Sequence, residues 1–193
     1  FIQSDSPKHI QSVMDFFVSS ANIGYRTGNQ MGGASINMDG AFYRAPTRTL
    51  EHTEDDGRRV WPERYNRAFL DPYYQRIEAK LRVRPMQWNE ISKAGGLFAD
   101  MMSRMGASCN LTLMNYTDCV QCGFCAQGCR FEKKVTLMHS YIPEAETAGA
   151  VFTSGATVSH LEKNGTDFVV VYSTAGETKR VQAPRVIVGA GGI

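Results

Sequence analysis

The sequence predicts an α/β fold with a helical, cysteine-rich middle segment, a β-meander and a buried strand after it. Three observations carry that reading. Apolar residues recur at helical spacing through Tyr73, Ile77 and Leu81, and again through Leu97, Met101, Met102 and Met105. Segments 156–163, 168–173 and 178–182 read as strands, with Asn164-Gly165 and Ala175-Gly176 as the turns between them. Arg185-Val186-Ile187-Val188 then has the continuous apolar pattern of a strand buried on both faces, and it runs straight into Gly189-Ala190-Gly191-Gly192.

Taken in order, Ser6-Pro7 has the form of a helix N-cap with proline at the first helical position, and Ile10, Val13, Met14 and Phe17 then share one helical face. Segment 24–40, rich in Gly, Asn, Ser and Asp, reads as a loop, and 52–59 as a charged stretch with an Asp56-Gly57 turn. Asp71-Pro72 starts the helix that carries Tyr73, Ile77 and Leu81. The methionines of the next helix read as core filler rather than as ligands. Residues 106–135 form an irregular stretch around the cysteines.

With 193 residues the chain is long enough for one domain or slightly more, and 42% hydrophobic content is that of a soluble globular protein. A net charge of +2 gives no electrostatic case for nucleic acid or an anionic membrane. No apolar run approaches the roughly 18 residues of a transmembrane helix. A soluble protein is expected, cytoplasmic or periplasmic, or held at a membrane through a partner. A first residue Phe1 and a final strand running into Gly-x-Gly suggest a piece of a longer chain.

The cysteines carry the sharpest signal. Cys119, Cys122, Cys125 and Cys129 form a C-x2-C-x2-C-x3-C run, the spacing with which bacterial ferredoxins wrap an iron–sulfur cluster. Arg130 follows where ferredoxins usually have proline, and Cys109 is an alternative to Cys129 as fourth ligand. Zinc sites usually split their cysteines into two pairs separated by a long spacer, which this run lacks. Disulfides suit small scaffolds without a core of their own. Zinc, disulfides and unligated thiols remain the alternatives to a cluster of the 4Fe-4S or 3Fe-4S type.

Two glycine clusters, Gly32-Gly33-Ala34-Ser35-Ile36-Asn37 and 189–192, would let backbone approach a ligand closely and turn N–H groups toward phosphate oxygens. Read alone, each is better taken as a tight turn.

The order of these pieces resembles the glucose–methanol–choline (GMC) family of FAD-dependent alcohol oxidoreductases, and most of all its cholesterol-oxidase-like and long-chain-alcohol-oxidase-like branches. The matching pieces are Met31-Gly-Gly-Ala-Ser-Ile-Asn37, Cys122-Gly-Phe-Cys-Ala-Gln-Gly-Cys129, Lys134-Val-Thr-Leu-Met-His-Ser-Tyr141, Ala148-Gly-Ala150, Gly155-Ala-Thr-Val158 and Val186-Ile-Val-Gly-Ala190. The resemblance implies part of an FAD-binding fold built from separated segments. Residues 1–50 would belong to the FAD-binding domain, 51–135 to a middle segment with the cysteines, and 136–193 to a further FAD-binding segment with the meander. It implies FAD contacts from Gly32, Gly33, Ala34, Ser35 and Asn37, from the backbone near Val158, and from Gly189, Ala190 and Gly191. Relatives commonly place two residues between the loop serine and the asparagine. Only Ile36 intervenes here, so whether Ser35 or Asn37 matches the pattern is open.

The family's first Gly-x-Gly-x-x-Gly unit would precede Phe1, and its catalytic histidine with a His or Asn partner would follow Ile193. His9, His52, His139 and His160 therefore read as surface or satisfied histidines. The expected activity is oxidation of a small-molecule alcohol by hydride transfer to flavin. A cysteine-bound cluster would favour a dehydrogenase that passes electrons to a quinone or to a protein such as a cytochrome or small subunit. The alternatives are an iron–sulfur electron-transfer subunit of a larger complex, and a GMC-type oxidase with structural cysteines or zinc.

Overall fold

A computed structural model describes residues 14–20 and 22–191 of the chain. It is a mixed α/β structure in which contacts separate two compact units, one through Ala148 and one from Gly149. Among the described residues, no helix is long and apolar enough to cross a membrane.

The first unit opens with an antiparallel hairpin of β1 (Met14–Val18) and β2 (Gly24–Gly28), in register Val18↔Gly24. Its turn is closed locally: the Ser19 hydroxyl accepts from Ile23 N at 3.2 Å, and Asn22 takes a left-handed φ of 58°. Met14 and Phe17, expected on a helix face, belong to β1. Aromatic and β-branched residues suit extended backbone, and pairing with β2 outweighs the helical spacing. Ser6, Pro7, Ile10 and Val13 lie outside the described residues. The expected loop 24–40 is likewise a strand in its first five residues.

The remainder of this unit is organised around the extended segment 113–117. β3 (Arg84–Pro85) pairs with β4 (Leu113–Met114), and Met114 also bridges Ala41. Further along, Asn115 N donates to Gly40 O at 3.1 Å, and Val135 N donates to Asn115 O at 2.9 Å. The buried Asn115 side chain adds a 2.6 Å bond to the Val135 carbonyl. Leu50, Leu81, Tyr116 and Val135 are the buried apolar side chains here, and Leu50 ends the short helix α1 (Thr47–Leu50).

Helix α2 (Arg67–Lys80) starts four residues before the expected Asp71-Pro72, because the Asn66 side chain accepts from Phe69 N and caps it. Pro72, the sixth residue of the helix, lacks the N–H that would bond the Ala68 carbonyl. The expected apolar stripe is not its packing face. Tyr73 and Ile77 are 46% and 40% exposed, and only Leu81 is buried. The helix docks instead through charge, since Arg44 reaches Glu78 at 2.7 and 2.5 Å and Asp71 at 3.0 Å, while Arg67 holds Ala45 O at 2.7 Å.

Helix α3 (Lys93–Arg104) is capped by Ser92 and lies where the second apolar period placed it. Its Leu97, Met101 and Met105 are exposed, so those methionines are not core filler. Helix α4 (Tyr141–Thr147) follows, joined to the end of α2 by a Lys80–Glu144 ion pair.

The second unit contains the expected meander: β5 (Ala156–Asn164), β6 (Asp167–Thr174) and β7 (Glu177–Ala183), antiparallel in that order. Asn164 pairs with Asp167, so Gly165 (φ 60°) and Thr166 form the first turn. Ala175 and Gly176, at φ 50° and 81°, form the second. The central strand buries Val169 and Val171. The apolar run 185–188 forms no strand, and Ile187 is 94% exposed. A strand buried on both faces needs neighbours, and among the described residues no strand pairs with it.

Candidate functional site

The glycine segment is shaped by close backbone packing. A Cβ on Gly28, at the end of β2, would lie 2.6 Å from Gly33 C and 2.7 Å from Ala34 N. Only glycine lets β2 rest against the 3₁₀ turn Gly33–Ser35. Gly32 and Gly33 have φ of 86° and 53°, and a Cβ on Gly33 would meet no atom within 4 Å. The left-handed turn therefore presents an open side.

Ser35 and Asn37 differ in what they have left to offer. The Ser35 hydroxyl donates to Gly32 O at 2.7 Å and accepts from Leu137 N at 3.3 Å, so it ties this segment to the one after the cysteines. Both amide atoms of Asn37, and Gln30 Nε2, are buried with no hydrogen-bond partner. Buried polar atoms are nearly always paired, so an orphaned amide beside an open glycine turn points to a ligand. The open turn fits the close approach of a cofactor such as FAD, and of the two side chains Asn37 keeps its hydrogen-bonding capacity while Ser35 has spent its own.

The cysteine run is wound by left-handed residues. Asp118, just before the first thiol, and Gln121, Gly123 and Gly128, one in each gap between successive thiols, have φ of 50°, 54°, 75° and 87°. Cys119, Cys122, Cys125 and Cys129 consequently line one cavity of about 410 Å³, together with Asp39 and Tyr116. Two sulfurs already accept backbone N–H bonds, Cys119 from Gln121 at 3.4 Å and Cys129 from Lys133 at 3.3 Å. All four are free thiols. Among the described residues, no three Cys, His, Asp or Glu side chains gather closely enough to hold a single metal ion. The four thiols thus share a cavity wall without forming a ready-made metal site. Cys109 is exposed and does not line the cavity.

The cavity wall is charged and hydrogen-bonded in ways the spacing did not reveal. Glu90 accepts from Arg84 at 2.8 and 2.5 Å, and Arg84 donates to Tyr116 O at 3.1 Å. The Arg84 guanidinium holds the Glu90 carboxyl down at about 2, against burial acting the other way. Burial, with Cys125 alongside, pushes the Tyr116 phenol well above its ordinary value; the phenol donates to Asp39 O.

Lys134 joins the two segments. It is 0% exposed, and its Nζ donates to Ile36 O at 2.7 Å, to Cys125 O at 2.9 Å and to Met38 O. Burial lowers its pKa below the usual lysine value, while nearby Cys125, Cys129 and Asp39 act in the opposite direction. Lys134, Tyr116, Arg84 and Glu90 were not among the expected site residues. For Lys134 the available signals were its place at the head of the matching piece 134–141 and a cation five residues after the last cysteine.

The other expected residues belong to the second unit. Val158 precedes a bulge in edge strand β5, where the pairing register shifts before His160. Gly189, Ala190 and Gly191 are exposed. The Nδ1 of His139 is engaged by Thr136, and His160 bridges Ser159 and Glu162 at the surface.

The model of the GMC oxidoreductase family matches residues 17–193, and the chain belongs to that family. It is thus an FAD-binding oxidoreductase by class, as the glycine segment and its orphaned amide suggest. No curated protein and no solved structure matches the chain.

Proposed function

We propose that this protein is an FAD-dependent dehydrogenase that oxidises a small-molecule alcohol and passes electrons through an iron–sulfur cluster to an external acceptor. The observation that carries the reading is the single cavity lined by Cys119, Cys122, Cys125 and Cys129. FAD, when bound, supplies the hydride acceptor, and a cluster held by these thiolates supplies one-electron transfer.

The chain's own residues prepare both places. Gly28 and Ser35 hold the glycine turn, Gly33 leaves its outer side open, and Asn37 offers an unpaired donor and acceptor. At the cysteines, the N–H groups of Gln121 and Lys133 donate to the sulfurs of Cys119 and Cys129 and fix their orientation. Of the two candidates for fourth ligand, Cys129 lines the cavity and Cys109 does not. The acceptor in this reading is a quinone or a protein such as a cytochrome or small subunit.

The test is the absorption spectrum of anaerobically purified protein, with iron, acid-labile sulfide, zinc and FAD measured on the same sample. Flavin and iron–sulfur bands together, with iron and sulfide in proportion to FAD, are expected. Stoichiometric zinc without iron would overturn the relay and leave a structural metal. Absence of flavin would overturn the oxidoreductase site itself.

A further inference from the structure

Lys134, Leu50 and Asn115 are the largest side chains fully withdrawn from solvent among the described residues, and Lys134 alone of them is ionisable. An ammonium is kept in such a place only if its donors are satisfied and its charge is offset. Its three N–H groups meet three acceptors, Ile36 O, Met38 O and Cys125 O, so the donors are filled. All three acceptors are neutral carbonyls, so the hydrogen bonds themselves supply no counter-charge. The acid-forming groups acting on it are Cys125, Cys129 and Asp39, all lining the cysteine cavity.

We propose that Lys134 is the positioning residue that couples the two sites: its buried ammonium clamps the glycine segment to the cysteine run and is offset by an anionic group loaded into the cavity. What the two sites hold rests on the function proposed above; the mechanical link does not. Two carbonyls of the clamp lie in the glycine segment on either side of Asn37, and the third lies in the cysteine run. A change at the cysteines is therefore felt at the residue with the orphaned amide. Coupling of this kind is reciprocal: filling either place orders the other.

Hydrogen–deuterium exchange of the purified protein reads the coupling directly, over segments 32–38 and 119–129. It is measured before and after metal chelation and thiol capping, in wild type, Lys134→Met and Lys134→Arg. In wild type, chelation and capping should speed exchange in 32–38 by about tenfold or more, because charge-assisted bonds to both flanking carbonyls loosen. In Lys134→Met both segments should exchange faster from the outset, and capping should no longer move 32–38. Lys134→Arg, which keeps the charge, should restore part of the response. A merely structural lysine would leave the capping response in place after mutation, and that result overturns the proposal. So does a wild-type segment 32–38 indifferent to the thiols, an arm that decides the matter even if Lys134→Met does not fold. FAD and iron content of the same wild-type samples report separately on the proposed function. Coupling without either cofactor would sink that reading and leave the Lys134 assignment standing. Both cofactors without coupling would do the reverse.

Discussion

A side chain has nowhere to go at Gly28 and too much freedom at Gly33, and the two glycines should fail differently when replaced. At Gly28 an added Cβ meets backbone at 2.6 Å, so Gly28→Ala should cost about 1–3 kcal/mol of stability by overpacking. At Gly33 nothing is struck, but φ is 53° and the new group occupies the open side of the turn. Gly33→Val should abolish FAD binding, and its stability cost should come from backbone strain at positive φ rather than from collision. Thermal unfolding and extracted flavin, measured on both variants, separate the two effects. Unchanged flavin content in Gly33→Val would remove this turn from the site.

The cysteines divide at the same scale. Cys122→Ser should lose or degrade the cluster, because a thiolate ligand has gone from the cavity wall. Cys109→Ser should leave iron and sulfide content unchanged, since Cys109 lies off that wall. Equal losses in the two variants would return Cys109 to the ligand set.

Among the elements, the 3₁₀ turn Trp88–Glu90 shows how one pair shapes the cavity. Glu90 closes the turn by accepting from Gln87 N at 2.7 Å and then anchors Arg84 against Tyr116. Its carboxyl falls from an ordinary 4.5 to about 2 in the folded protein. A depressed carboxylate stabilises fully above its unfolded value and loses that contribution as pH falls through its folded value. Glu90→Gln should therefore cost on the order of 1–2 kcal/mol near neutral pH, allowing for solvent at the rim. The deficit should shrink as pH drops from 4.5 toward about 2, the window set by these two values. Urea titrations of both proteins across that range check the sign. A deficit that does not change with pH would mean that the pair contributes through packing alone.

At the scale of the whole molecule, the proposed relay makes a claim about where electrons go. Substrate should reduce a dye or cytochrome much faster than oxygen. In a cysteine variant that still holds FAD, acceptor reduction should slow more than flavin reduction, because hydride transfer precedes the cysteines in the sequence of events. Stopped-flow traces of flavin bleaching and acceptor reduction separate the two. Equal slowing would make the cysteines a structural support, and oxygen as the better acceptor would make the protein an oxidase.

The sequence by itself determined the cysteine run, the glycine turn and the meander, because each is written in residues a few positions apart. Ligand spacing and turn chemistry act over such distances, as Ala175-Gly176 at positive φ illustrates. Helical spacing located α2 and α3 but misjudged their faces, since Tyr73 and Ile77 look outward while Arg44 binds the charged side. It also misread Met14 and Phe17, whose strand is decided by a partner across a turn. Only the tertiary structure decided that Ser35 is spent on Leu137 while Asn37 remains unpaired, and that Cys129 rather than Cys109 faces the cavity. It alone placed Lys134 between the two sites. A lysine reads as surface in any local window, and the carbonyls of Ile36 and Met38 that bury it are brought in from nearly a hundred residues away.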